Sequence, residues 1–131
     1  MLVLLAPLPA VASGMIRVAI LPDVKRVEII GADIEVSDAS VTACERCERC
    51  ERCGGFRTDI VRAVANGTTI EVDGRRAVSF RLRSDRPIRL NGREYAGEFE
   101  LVRTGQGLAV VNELPLEDYL VGVLRAEASD R

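Results

Sequence analysis

Val110-Val111-Asn112-Glu113-Leu114-Pro115-Leu116-Glu117-Asp118-Tyr119-Leu120-Val121-Gly122-Val123-Leu124-Arg125-Ala126-Glu127 reads as a β-strand that runs through a tight turn into a helix ending on a carboxylate. Pro115 suits a first helical position, where its missing N–H would be unpaired in any case. Glu117 and Asp118 follow in the first turn, where the helix dipole favours negative charge. Leu116, Leu120, Val123 and Leu124 recur at the spacing of one helical face, which predicts a helix packed through that stripe. Glu127, eleven positions after Leu116, falls on the same face. A carboxyl held on a core-facing stripe is desolvated and can keep its proton at neutral pH, the property of a general acid. The competing reading of Glu127 is a frayed, solvated residue near the chain end.

Upstream of this stretch the pattern is one of short strands. Ile16–Leu21 is rich in β-branched residues and meets Pro22, which predicts a strand stopping there. Val24–Ile30 and Ile34–Val36 predict two more, joined around Gly31-Ala32-Asp33, while Asp59–Val64 fits either a strand or a short helix. Asn66-Gly67, Asp73-Gly74 and Asn91-Gly92 are hairpin-turn signals, separating Thr68–Val72, Ala77–Arg83, Pro87–Leu90 and Tyr95–Val102. In Ala77–Arg83, Val78, Phe80 and Leu82 alternate with Ser79, Arg81 and Arg83, so the first three are expected to point to the core. Leu108–Val111 is the strand that feeds the helix. The expected fold class is α+β: mainly antiparallel β with short strands and hairpins, and one C-terminal helix packed on the sheet.

The chain has 131 residues, room for one domain with a real core, and a formal net charge of -2, which favours neither nucleic acid nor an anionic membrane. There is no histidine, which removes Ser-His-Asp and Cys-His catalysis and His-ligated metal from the chain as written. Any catalysis falls to carboxylates. Residues 1–12 form a short apolar run ending in Ala10-Val11-Ala12, which reads as an export signal peptide, or else as a buried first strand or fusion scar. The run is too short to span a bilayer, which takes about 20 apolar residues, so no transmembrane segment is expected.

All four cysteines, Cys44, Cys47, Cys50 and Cys53, lie in a low-complexity insert at 43–55 with C-x2-C-x2-C-x2-C spacing. Thiolates so spaced can ligate zinc or an iron–sulfur cluster. They equally fit an exposed Glu-Arg-Cys repeat, oxidised to disulfides in an exported protein. Arg75, Arg76, Arg81, Arg83, Arg86, Arg89 and Arg93 concentrate in the middle hairpins and read as the wet face of a sheet. No aromatic residues interleave with them, so stacked nucleic-acid bases have no platform. Tyr95 and Tyr119 are the only tyrosines; each suits either contact with a sugar or packing at an element's edge. Glu117 and Asp118, being adjacent, point about 100° apart on a helix and read as dipole compensation, not as a catalytic pair.

"VVNELPLEDYLVGVLRAE" resembles the signature of the stage II sporulation protein D and LytB amidase-enhancer family, in which an asparagine-containing strand leads into "PLEDYL.GV" and a glutamate. "IRLNGREYAGEFELV" (Ile88 to Val102) is similar to that family's "gr.Y.G.l" hairpin, and "IRVAIL" (Ile16 to Leu21) to its opening strand. The resemblance spans roughly Met15 to Glu127. It implies a SpoIID/LytB-like domain over 15–131, an N-terminal portion truncated at the C-terminus, since relatives continue with Met-Pro and a helical region where this chain has Ala128-Ser129. It further implies a lytic transglycosylase acting on peptidoglycan glycan strands stripped of peptides, with Glu127 as catalytic acid and no cofactor required. The expected setting is the cell envelope or outside the cell, in wall remodelling or sporulation, with a cell-wall amidase as a possible partner. Two alternatives stand beside it: a non-catalytic wall-binding or amidase-enhancing module, and a metal protein built on the cysteine run.

Overall fold

The computed structural model describes residues 14–39 and 55–129, with side chains as far as Leu124. These residues form β1 (Met15–Val24), β2 (Arg26–Asp38), β3 (Phe56–Asn66), β4 (Thr69–Val72), β5 (Arg75–Ala77), β6 (Ser79–Arg83), β7 (Ile88–Leu90), β8 (Arg93–Tyr95), β9 (Glu98–Arg103), β10 (Leu108–Pro115) and α1 (Leu116–Ser129). The strands make one antiparallel sheet in the order β1-β10-β9-β6-β2-β3-β4-β5, and the β7–β8 hairpin joins through β7 to β2. The architecture is therefore α+β, mainly antiparallel, with the helix last and packed on β10 and β1.

Period-two alternation assigns the faces. Val110, Asn112 and Leu114 of β10 stand on the side of Phe99 and Leu101 of β9, and the pairing Leu82↔Phe99, Val36↔Leu82 carries that row into β6 and β2. The sheet coils so that β4 packs across onto β6 and β9, and Phe99, Leu82, Leu101, Ile29, Ile34 and Ile70 are fully buried inside the curl. Right-handed sheet twist makes such coiling natural for a single long sheet.

Two of the hairpin turns form where the sequence predicts them. Asn91 and Gly92 have φ of 52° and 79°, and Asp73 and Gly74 have 50° and 79°, the left-handed pair of a type I′ turn. At the β3–β4 turn the left-handed residue is Gly67 alone, at the first central position. Asp59–Val64 resolves as strand, inside β3.

Several boundaries differ from expectation. The two strands expected over Val24–Ile30 and Ile34–Val36 are one thirteen-residue strand, β2, with a bulge between them that places Asp33 at φ 55°. The extra residues bend the strand, so that its first half pairs with β7 and its second half with β6. β1 runs past Pro22 to Val24, with register shifts between Ala19 and Val24 that let an edge strand accept the proline. Val78 is 52% exposed and does not join Phe80 and Leu82, because the chain leaves β4 and takes up β9 at that residue. β10 extends to Pro115, which pairs with Met15, so the helix begins at Leu116 and not at the proline. Leu116 N–H, one of the helix's free first-turn donors, is taken by the Gly14 carbonyl at 3.0 Å.

The expected export segment (1–12) and Cys44, Cys47, Cys50 and Cys53 lie outside the described residues; the cysteine segment connects β2 to β3.

Candidate functional site

Two of the three stretches that carry the family resemblance, Ile88 to Val102 and Val110 to Glu127, meet in space. Asn112, in the middle of β10 and 4% exposed, donates through Nδ2 to the carbonyl oxygens of Ala96 at 2.9 Å and Glu98 at 3.1 Å. Between those two acceptors sits Gly97, at φ 91°, where a Cβ would collide with the Glu113 carbonyl oxygen. Only glycine tolerates both the left-handed backbone and the close approach. Asn112 thus fastens the β8–β9 kink to β10. This splits the strand expected over Tyr95–Val102 into β8 and β9 and swings Tyr95 outward along the sheet. Tyr95 then meets Phe99 edge-on, with ring centroids 5.8 Å apart.

Beside this clamp lies a groove of about 800 Å³ between the β8 hairpin, β1, β10 and the first turns of α1. Val18, Ile20 and Leu114 give it an apolar floor, and Tyr95 and Tyr119 both line it. Its charged lining comes from Arg93, Glu94 and Asp118. Glu117, the neighbour of Asp118, is exposed and lies outside the groove lining, as expected for adjacent helical positions. A half-open trough with an apolar floor, two tyrosines and a few polar groups suits a ligand that is apolar on its faces and hydroxylated at its edges.

The helix sits over the sheet by a narrower face than its apolar spacing predicts. Leu116, Tyr119 and Val123 are half-buried, whereas Leu120 is 49% and Leu124 64% exposed. The contact is centred on the Tyr119 side of the stripe because α1 packs chiefly on β10 and β1. Glu127 lies in the last turn of α1, and its side chain is outside the described side chains. It follows Val123, which lines the groove, by one turn or about 6 Å of rise.

The opposite face of the sheet carries a charged band that includes Arg81 and Arg83, two of the arginines expected on a wet sheet face. Arg17 Nη2 donates to Glu100 and Nη1 to Glu113, both at 2.7 Å, and Arg81 reaches Glu98 at 2.9 Å. Arg83 joins Glu98 at 3.0 Å. The hydrogen bond that Arg17 donates to Glu100, opposed by partial burial and aided by Glu113, holds its guanidinium above its ordinary pKa. Cross-strand neighbours on one sheet face produce such rows, but sequence alone does not reveal which strands adjoin. The arginines of the middle hairpins are largely neutralised in this way: Arg76 pairs with Glu71 at 3.6 Å, Arg89 with Glu94 at 3.8 Å, and Arg75 stacks over Phe56 at 4.6 Å.

Arg103 is a further residue that the pattern passed over. Its guanidinium donates to the carbonyls of Thr104 and Gly107 in the β9–β10 turn and to Gly67 of the β3–β4 turn, stapling two loops. Thr104 Oγ1 donates in turn to Asp23 at 2.7 Å, binding the end of β1 to the same corner. The Arg-Thr-Gly-x-Gly run is the only local hint of this.

Among the described residues no group of three or more His, Cys, Asp or Glu side chains is arranged to hold a metal ion. No helix among them is long and apolar enough to cross a membrane. Comparison of the chain with models of protein families, with curated proteins and with solved structures gives no match in any of the three.

Proposed function

We propose that this is an exported peptidoglycan-acting protein whose groove holds a glycan strand freed of its peptides, and that it cleaves that strand as a lytic transglycosylase. The observation that carries the reading is the convergence of Tyr95, Asn112 and Tyr119, drawn from the two motif segments, on one groove. Sugar rings have apolar faces that pack on tyrosine and hydroxyl edges that bond to carboxylates and amides. In this reading Glu127 supplies the proton. Its carboxylic acid protonates the glycosidic oxygen as the C1–O bond breaks, and the muramoyl C6 hydroxyl closes onto C1. That hydroxyl's proton returns to the carboxylate, leaving a 1,6-anhydro end and an unchanged enzyme. One carboxyl suffices, unlike the pair used by glycoside hydrolases.

A second reading, a non-catalytic wall-binding or amidase-enhancing module, is favoured by the described groove lining, whose tyrosine rings, amide and charged groups can hold a glycan without cleaving it. Incubation of the whole chain with peptide-free glycan strands, followed by mass spectrometry for anhydro ends, separates the two. Anhydro products lost in Glu127→Gln support the enzyme. Retained cleavage in that variant removes the acid role, and binding without cleavage by the unaltered chain gives the module reading the lead.

A further inference from the structure

Arginines on this sheet are mostly committed. Arg17 and Arg81 share Glu100 and Glu113, while Arg57, Arg62 and Arg83 each hold a carboxylate at 3.0 Å or less. Arg103 is taken by backbone carbonyls. Arg93 is different: it is exposed, it lines the groove, and among the described residues its guanidinium has no hydrogen-bond or ion-pair partner. Among the described residues it is also the one cation in the groove lining, which otherwise carries Glu94 and Asp118. Glu94 is already drawn toward Arg89, at 3.8 Å. A neutral amino-sugar polymer offers nothing for an uncommitted guanidinium to pair with. A sugar bearing a carboxylate does, and Arg matches a carboxylate with two parallel N–H donors.

We infer that Arg93 is the specificity residue of the groove and pairs with the free lactyl carboxylate of a muramoyl sugar. The inference rests on the glycan reading of the groove given above. It follows from charge that the groove distinguishes two forms of the same strand. Where a peptide is attached, the lactyl carboxyl is an amide, neutral and bulky, and Arg93 gains no ion pair. Where the peptide has been removed, the carboxylate is free and the pair forms.

The test is isothermal titration of the whole chain with three tetrasaccharides: a muramoyl glycan with free lactyl carboxylates, the same glycan with lactyl amides, and chitotetraose. The expected result is a preference of roughly tenfold for the free carboxylate, the scale of one charge-assisted hydrogen bond. The preference should vanish in Arg93→Gln, persist in part in Arg93→Lys, and shrink as salt is raised from 0.05 to 0.5 M. Because Arg93 is exposed, both variants should fold, and the salt series on the unaltered chain tests the pair without any substitution. Equal affinity for the three glycans, or a preference that survives in Arg93→Gln, overturns the assignment while leaving glycan binding intact. Absence of binding to all three removes the glycan reading and the role of Arg93 together.

Discussion

Asn112 Nδ2 lies 2.9 Å from the Ala96 carbonyl oxygen and 3.1 Å from that of Glu98, so one buried amide satisfies the backbone on both sides of Gly97. Ala96 and Gly97 lie between β8 and β9, and Glu98 opens β9 opposite Glu113, so the amide spans the point where the ladder begins. The side chain ties this kink to β10, and the kink lets β8 pair with β7 instead of continuing along β9, so that it walls the groove. Asn112→Ala leaves two carbonyls poorly satisfied and should cost ~1–3 kcal/mol. Urea denaturation monitored by circular dichroism measures it, and a loss below 0.5 kcal/mol would mean that water replaces the amide without penalty.

Gly97→Ala should be at least as damaging. It forces an alanine to φ 91° and drives its Cβ into the Glu113 carbonyl. Strain of this kind costs ~1–3 kcal/mol before any displacement of β10 is counted. Gly105→Ala is the matched control, since nothing lies near its Cβ position and its φ is ordinary, so it should fall within ~0.5 kcal/mol of the unaltered chain. Equal melting of the two variants would show that the β8–β9 kink is not held as described.

The charged band predicts a specific pH behaviour. Arg17 has its pKa raised above the ordinary arginine value, chiefly by its hydrogen bond to Glu100 and further by Glu113, and it is 47% exposed at the side chain. A cation with a raised folded-state pKa contributes fully below its unfolded pKa, and that contribution is lost only as pH climbs through the folded value. The stability difference between the unaltered chain and Arg17→Gln should therefore be flat from pH 7 to pH 10. Its size should be only ~0.5–1 kcal/mol, given the exposure, and 0.5 M salt should reduce it. A difference that declines between pH 7 and pH 10 contradicts the assignment of the effect to Arg17's own charge.

How much of this was legible from sequence depends on the range of the interaction. Asn91-Gly92 and Asp73-Gly74 were readable because a type I′ turn is decided by the two residues in it. The alternation that put Phe80 and Leu82 inward was readable for the same reason. Val78 was misjudged because its exposure follows from a change of strand partner, from β4 to β9, which no local pattern records. The bulge in β2 escaped likewise: Asp33 is left-handed because β2 has to serve β7 and β6 in turn. In the helix, periodicity identified an apolar stripe, but the angle at which α1 meets β10 and β1 decides which part of it is covered. The site was half visible. Tyr95, Tyr119 and Asp118 stood out as residues, but their meeting depends on Asn112 reaching carbonyls sixteen and fourteen residues upstream.

The shallow seating of α1 has a direct consequence for its outer face. Leu124→Glu, at a site 64% exposed, should change stability by no more than ~0.5 kcal/mol. Phe99→Ala, at 0% exposure in the centre of the curled sheet, should cost ~3–5 kcal/mol. If the two were comparable, Leu124 would have to be covered in solution by something beyond the described residues.

The two tyrosines of the groove should separate into different roles. Tyr95 spends part of its ring against Phe99, so Tyr95→Ala removes packing as well as groove surface and should lower stability by ~1 kcal/mol or more. Tyr119 rises from the first turn of α1 and has no ring partner among the described residues. Tyr119→Ala loses part of the α1–sheet contact, so it should cost about 1 kcal/mol of stability, and it should weaken glycan binding about three- to tenfold, the worth of one aromatic face. Tyr119→Phe distinguishes stacking from hydrogen bonding: retained affinity assigns the contribution to the ring, and loss equal to that of alanine assigns it to the hydroxyl. If Tyr119→Ala binds glycan as tightly as the unaltered chain, then Tyr119 lines the groove without touching what fills it, and the sugar must lie toward β8, against Tyr95 and Arg93.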